Sequence, residues 1–491
     1  MSEEDLIKER IRKLEEIKKL GINPYPYTYK VTDCIKDIKE KFSDLKEEEK
    51  TETKVSIAGR LMSMRKMGKA AFANIKDTSG NIQFYIRKDD VGEKNFKLFK
   101  LLDIGDIIGI EGTIFKTKTG ELSIYTNNLQ LLTKSLRPLP EKFHGLKDPE
   151  LRYRQRYVDL IMNDDVKETF IKRTNIINEM KAFLNNQGFL DVETPILQTV
   201  YGGANAKPFI TFHNELKTNM FLSISPELQL KRLIVGGLDR VYTITKNFRN
   251  EGIDTTHNPE FTSMECYQAY ADYNDMMKLT EEMIAHICKK VLGTTKVKYA
   301  DKTIDFKVPW KRLRMEDAIK EYTELDVENM DDKQLKEQIR KLKLECGNTR
   351  GEMINAIFED QCEKHLIQPT FITDYPLEVC PLTKIHRKDP RNVERFEGFV
   401  NGMELANAYS ELNDPIDQEK RLKDQEKARQ KGDEEANPMD SDFVRALEYG
   451  MPPTGGLGIG VDRLIMLLTN NDSIREVIFF PMMKPEVKKD D

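Results

Sequence analysis

Apolar residues at Leu6, Ile11, Leu14 and Ile17 recur at helical spacing, predicting one helix over residues 2–20. Ser2 with Asp5 forms a variant capping box at its start, and Gly21 stops it. NPYPYTYK then reads as an extended connector. From Lys54 to about Leu132 the period falls to two, in KVSIAGRLMSM, AAFANIKD, NIQFYIRK, DIIGIEGTIFK and ELSIYTNNLQLL, with turn signals MGK, TSG and KTG between segments. EKNFKLFKLL, between the third and fourth segments, is helical. Five strands with a helix after the third suit a small closed barrel, and a plain five-stranded sandwich is the alternative.

LRPLPEKFHGLKDPE (136–150), rich in Pro and Lys, reads as a linker. Beyond it VKETFIKRTNIINEMKAFLNNQG predicts an amphipathic helix ending at Gly188. FLDVETP, MFLSIS, RVYTITKNFR, EFTSMECYQAY, ERFEGFVNG and MELANAY follow as strand-like pieces. The larger domain is therefore expected to be α+β with a mostly antiparallel sheet. Residues 325–365 give charged helical patterns, and 418–435 reads as a solvated helix and loop. The expected domains are 1–53 (helix and connector), 54–135 (barrel), 136–150 (linker) and 151–491.

Composition adds limits. At 491 residues with 39% hydrophobic and 33% charged residues, the chain has room for two or three soluble domains. A net charge of −5 means that any nucleic-acid contact must come from locally arranged basic residues. The six cysteines contain no CxxC pair, which argues against a zinc site or disulfide framework and fits a reducing compartment. MSEEDLIKER is too charged for a signal peptide, and no apolar run nears the ~18 residues of a spanning helix. A cytoplasmic protein with no membrane partner is expected.

Four segments carry candidate chemistry. FRNEGIDTTHNPEFT (248–262) gathers Arg249, Glu251, His257, Asn258 and Phe261 in a loop between two alternating strands. Along the second strand Phe261, Ser263, Glu265 and Tyr267 share a face. A buried unpaired carboxylate is costly, so that face suits a polar cleft better than a core. Arg249 can meet a phosphate bidentately and Phe261 can stack on a flat base, although a surface hairpin with an Arg–Glu pair has the same composition. MPPTGGLGIGVDRLIMLL (451–468) runs a glycine-rich strand into a helix with Arg463 in its first turn, where anions are favoured; close strand–helix packing also accounts for the glycines. In RFEGFVNGMELANAYSELND, the hairpin signal Asn401-Gly402 places Glu397 and Glu404 diagonally on one face, a pair that repels unless a cation such as Mg²⁺ intervenes. Two solvated glutamates on an edge hairpin are the rival. Asn407 and Glu411 have the opposite parity and join that cleft only across a bulge. Finally, SISPELQLKRL turns at Ser225-Pro226 and opens a helix with Glu227 in its first turn, either as a cap or as a partner for a ligand ammonium.

In order and spacing these segments resemble the three motifs of class II aminoacyl-tRNA synthetases: about 167–195 including FLDVETP, about 241–270, and about 455–468. HGLKDPELRYRQRYVDLI, GGANAKPF, SPELQLK, YQAYADYND and NAYSELNDP are similar to the lysyl-tRNA synthetases of the aspartyl/asparaginyl/lysyl subgroup. The resemblance implies an OB-fold anticodon-binding barrel before a class II catalytic domain, a homodimer through the first motif, and ATP-dependent lysylation of tRNA(Lys). It places Arg249 at the α-phosphate of ATP and the lysine carboxylate, and Glu251 and Asn258 around adenine, with Phe261 and Arg463 on its two faces. His257 falls at the distal phosphates, and Glu397 and Glu404 as ligands of Mg²⁺, more than one ion per site. Gly203 and Glu227 match the α-amino position, Asn407 the carboxylate, and Glu265, Tyr267 and Glu411 the ε-ammonium pocket. Arg60, Phe72, Gln83 and Glu121 match anticodon-reading positions. The resemblance departs at Thr256, where many relatives carry arginine, and so leaves open how His257 and Arg463 share the pyrophosphate contact.

No Ser–His–Asp pattern calls for a protein nucleophile, so positioning and charge stabilisation by Arg249, Arg463 and Mg²⁺ would carry catalysis. An aspartyl or asparaginyl enzyme is the nearest rival; SPE stands where those would carry SPQ. A non-catalytic tRNA-binding paralogue would be expected to have lost Arg249, Arg463 or the glutamate pair.

Overall fold

The structure is a computed structural model that describes residues 2–140, 146–432 and 436–486. Residues 141–145 of the expected linker and 433–435 of the segment 418–435 lie outside the described residues. The chain divides into two units, Met1–Leu146 and Lys147–Asp491, each with its own apolar core.

In the first unit, the helix Glu3–Lys19 starts at the Ser2–Asp5 capping box and turns Leu14 and Ile17 inward. A second helix, Ile35–Lys41, breaks the stretch expected as connector; its two inward residues, Ile35 and Ile38, are too few to show a period. The strands β1 (Lys50–Met67), β2 (Ala70–Lys76), β3 (Asn81–Arg87), β4 (Ile107–Lys116) and β5 (Leu122–Thr133) close a barrel in the order β1-β2-β3-β5-β4. β1 pairs with both β2 and β4, and β3 with β5, which excludes an open sandwich. Alternation decides what faces out. Ala71, Ala73, Ile75, Ile82, Phe84 and Ile86 are buried, while Phe72, Asn74, Gln83 and Tyr85 lie on the outer surface. The helix Lys88–Leu101 follows β3 and is interrupted at Gly92.

In the second unit the strands run β6 (Leu190–Asp191), β7 (Leu197–Gln198), β8 (Ile210–His213), β9 (Thr218–Leu222), β10 (Arg240–Phe248), β11 (Glu260–Ala269), β12 (Lys296–Tyr299), β13 (Lys302–Asp305), β14 (Lys311–Arg314), β15 (Thr370–Pro376), β16 (Asn392–Val400), β17 (Met403–Ser410) and β18 (Thr454–Gly460). Eight form one sheet, in the order β14-β15-β16-β17-β18-β11-β10-β6. It is antiparallel from β15 to β10 and parallel only at its two edges. FLDVETP contributes just the two residues of β6, so most of that segment is coil. The helices Asp164–Asn186, Tyr273–Ile287 and Val461–Thr469 share a core with one face of the sheet, including Met264, Cys266, Leu457 and Ile459. That leaves the other face, where the side chains of Glu265 and Tyr267 project, to form a site.

Candidate functional site

A cavity of about 470 Å³ opens on this face, lined from β10, β11, β16, β17 and β18, the 249–262 loop and the start of the helix Glu227–Val235. Arg249, Glu251, His257, Asn258 and Phe261 all border it, as do Gly203, Glu227, Glu265, Tyr267, Glu397, Glu404, Asn407 and Arg463. Of the catalytic-domain candidates, Glu411 alone is outside that lining; it sits fully buried behind Gly456.

Register explains how the two strand parities meet. Asn401 and Gly402 both adopt positive φ (52° and 71°), as a tight hairpin turn requires, so Val400 pairs with Met403 and Phe399 with Glu404. The register then slips: Gly398 pairs with Ala406 and Glu397 with Asn407, leaving Leu405 as the extra residue of a bulge. Leu405 packs into the core, and Glu404 and Asn407 both reach the cavity.

At one end lie the groups suited to anions. The Arg249 guanidinium stands 5.0 Å over the Phe261 ring, and its buried Nε has no hydrogen-bond partner among the described residues. Arg463 Nη1 donates to the Glu404 carbonyl (2.7 Å), while its Nη2 lies 3.3 Å from His257 Nε2. His257 Nδ1 is 2.8 Å from Asp254, whose carboxylate also accepts the backbone N–H groups of Thr256 and His257. The Asn258 side chain is committed to the backbone, donating to Glu260 O and accepting from Met482 N–H. Asp462 anchors this end: it accepts from Thr262 N–H and from Arg173 Nη1, each at 2.6 Å, tying the helix Val461–Thr469 to β11 and to the helix Asp164–Asn186.

Glu397 and Glu404 form the carboxylate pair. Glu397 accepts from Tyr375 Oη (2.8 Å) and from Arg395 Nη2, and Arg395 Nε also donates to Asn407 (3.1 Å). Burial, with the Glu404 charge adding to it, pushes Glu397 up to about 7 despite the opposing pull of Arg395. No cluster of three or more metal-ligating side chains occurs among the described residues. Two carboxylates beside an anion site still suit Mg²⁺, which binds through one or two carboxylates plus substrate phosphates.

The opposite end is acidic. Ser225 Oγ donates to Glu265 Oε1 (2.9 Å) and Tyr267 Oη to Oε2 (3.2 Å). Burial, reinforced by the Glu227 charge, drives Glu265 up to about 8. Gly203 presses onto this end with φ +87°; a Cβ there would lie 2.8 Å from the Glu227 Cβ. Gly456 is equally tight, because a Cβ would collide with Glu411 Oε1 and the Tyr267 ring. Sequence reasoning missed Lys231, Arg395, Ser225 and Tyr409. The period-two relation of Arg395 to Glu397 was available as a signal; the others depend on packing between distant segments.

On the barrel, Phe72 and Tyr85 face each other across β2 and β3 with ring centroids 4.8 Å apart, and Tyr125 and Phe115 extend the patch. Gln83 lies two residues from Tyr85 and accepts from Ser123 Oγ (3.0 Å), which also donates to the Glu121 carbonyl. Arg60 pairs opposite Lys76, at the far end of β2 from Phe72, and donates to Gly105 O (2.8 Å). Tyr85 was legible in NIQFYIR, where it shares the face of Gln83.

Comparison with known proteins places this geometry. The profile of tRNA synthetases class II (D, K and N) matches residues 148–484, and that of the OB-fold nucleic acid binding domain matches 55–132. A lysine–tRNA ligase of Clostridium botulinum (strain Loch Maree / Type A3) is 58% identical over 98% of this chain and 96% of its own. Those of Clostridium novyi (strain NT) and Clostridium acetobutylicum are 56% and 54% identical, over 98% and 99% of this chain and 94% and 95% of theirs. The chain belongs to the class II lysine–tRNA ligases.

Proposed function

We propose that the cavity joins lysine to AMP and then hands the lysyl group to the 3′ end of tRNA(Lys). The carrying observation is the polarity of the cavity: Arg249, whose buried Nε has no hydrogen-bond partner among the described residues, stands at one end, and Glu227 and Glu265 line the other, with Glu411 buried behind Gly456. ATP lies against Phe261 and Arg463, with Glu251 and Asn258 at the adenine and His257 at the distal phosphates. Arg249 bridges the α-phosphate and the lysine carboxylate, and Asn407 assists at the carboxylate. Gly203 and Glu227 receive the α-ammonium; Glu265, Tyr267 and Glu411 receive the ε-ammonium.

The lysine carboxylate attacks the α-phosphorus itself and expels pyrophosphate, and the terminal ribose hydroxyl of the tRNA then displaces AMP, so the protein's task is alignment and charge stabilisation. Glu397 and Glu404 would hold Mg²⁺, which would supply positive charge against the substrate phosphates. Glutamates in a closed pocket discriminate strongly, because an uncharged isostere leaves them buried without a partner. The barrel patch around Phe72 reads the anticodon, with Gln83 and Glu121 supplying polar contacts and Arg60 flanking them. Exposed Leu190, Ile196, Leu197, Ile210 and Phe212, in and after the first motif, give a homodimer its apolar surface. No helix among the described residues is long and apolar enough to cross a membrane.

ATP–pyrophosphate exchange with each of the twenty amino acids, without tRNA, tests this reading. Exchange with lysine alone is expected. Exchange with aspartate or asparagine would overturn the pocket assignment, and none at all from folded protein would leave only a tRNA-binding paralogue.

A further inference from the structure

Beneath the acidic end of the cavity lies a lysine that belongs to the protein. Lys231, on the helix Glu227–Val235, is completely buried. Its ammonium contacts Glu227 Oε1 at 2.6 Å, one turn back on its own helix, and Glu411 Oε2, from the segment after β17. The Tyr409 and Phe443 rings lie 5.5 and 5.9 Å from it and help to shield it from bulk solvent. Tyr409 Oη donates to Glu227 Oε2. With Lys231 on one oxygen of Glu411, the other, Oε1, is held against Gly456 and the Tyr267 ring, both of which line the cavity, and has no hydrogen-bond partner among the described residues.

A charge count gives this arrangement its meaning. Glu227, Glu265 and Glu411 are three carboxylates; Lys231 is one ammonium. A bound lysine brings two more ammonium groups, while its carboxylate goes to Arg249. Three then meet three. Fold stability alone does not account for a cation here, since a well-packed apolar side chain among Tyr409 and Phe443 would serve as well or better than a buried ion pair.

Resting on the proposed lysine activation, we propose that Lys231 is a positioning residue for substrate selection. It balances one of the three glutamates permanently and turns the unmatched oxygen of Glu411 toward the ε-ammonium. Without it, the groups facing one another here (Glu227, Glu265, Glu411, Tyr267 and Tyr409, with Arg249 beyond) carry one negative charge too many. The pocket would then take up a proton, giving a hydrogen-bond donor where the substrate needs an acceptor.

The test is steady-state pyrophosphate exchange on the full chain. Lys231→Met is expected to raise KM for lysine on the order of 100-fold, the scale of an uncompensated buried charge, and to leave KM for ATP within about threefold. Its KM for lysine should keep falling above about pH 8, where that of the native protein levels off, as the extra proton is lost. Unchanged KM for lysine, or equal rises for lysine and ATP, would overturn the proposal. If Lys231→Met does not fold, the pair Glu411→Gln and Lys231→Met/Glu411→Gln decides. The double variant restores the cluster's charge, so it should fold and bind lysine about as well as Glu411→Gln; a double variant that also fails to fold, or that loses a further large factor, overturns it. Wild-type exchange with lysine is the control for the underlying reading: its absence sinks that reading, whereas its presence with normal KM in the variant sinks only the role of Lys231.

Discussion

At the scale of single residues, the proposed site is built from carboxyl groups whose solvation has been removed, and the proposed substrate brings their ionic partners. Glu265 shows the consequence for pH. Its carboxyl is pushed from 4.5 up to about 8 by burial and the Glu227 charge, so in the empty pocket it holds a proton near neutrality. Between those two values the folded protein binds more protons at this group than the unfolded chain. Its contribution to stability is therefore fully present below about 4.5 and is lost as pH rises through about 8. A bound ammonium reverses the preference, favouring the carboxylate and expelling the proton. Glu411, also raised by burial, acts in the same direction. Lysine binding at pH 7 should thus release on the order of one proton or more, and affinity should rise toward pH 8 and then level. Titration calorimetry in buffers of different ionisation enthalpy reads this directly, and Glu265→Gln should reduce the release. Absence of proton release from the native protein would mean that Glu265 is already ionised when empty.

At the scale of elements, the site depends on strands meeting in the right register. Much of this was legible. The alternation of EFTSMECYQAY places Glu265 and Tyr267 opposite the core residues Met264 and Cys266 before any coordinates are seen. Asn401-Gly402 fixes the hairpin, and the parity conflict between Glu404 and Asn407 calls for a bulge. What the one-dimensional pattern does not contain is the bulge's position, which is set by Leu405 fitting the core, or the pairing of Lys231 with Glu411, 180 residues further along the chain. The helix Ile35–Lys41 escaped notice for a related reason: two turns offer too few positions for a period to emerge. Register also makes a prediction. Inserting one residue into β16 between Gly398 and Phe399 gives Leu405 a partner, removes the bulge and puts Glu404 and Asn407 on opposite faces. Exchange activity should fall at least about 100-fold, the cost of misplacing reacting groups by an ångström or more. Circular dichroism should show the sheet retained. An insertion variant that folds and exchanges at the native rate would contradict a register-built site.

At the scale of the whole molecule, chemistry and tRNA reading are divided between units with separate cores, and that division can be measured. The barrel buries Ile57, Ile75, Phe84, Ile110 and Ile124 within, and the catalytic sheet packs on its own helices. The outer aromatic patch contributes little to either core. Phe72, Tyr85, Phe115 and Tyr125 remain partly exposed, with centroids between 4.8 and 6.4 Å, an arrangement on which unpaired bases can stack. Phe72→Ala should accordingly leave lysine-dependent pyrophosphate exchange unchanged, because no reacting group moves. Transfer to tRNA should suffer alone. Stacking on one ring is worth about 1–3 kcal/mol per base, so kcat/KM for tRNA should drop by about tenfold or more. The loss should appear mainly in KM, since the 3′ end still meets an intact active site once tRNA is bound. Tyr85→Ala should behave in the same way and by less than an additive amount when combined with Phe72→Ala, because the two rings support each other across β2 and β3. If either variant slowed exchange and charging together, the patch would be holding up the fold, and the division of labour between the two units would have to be given up.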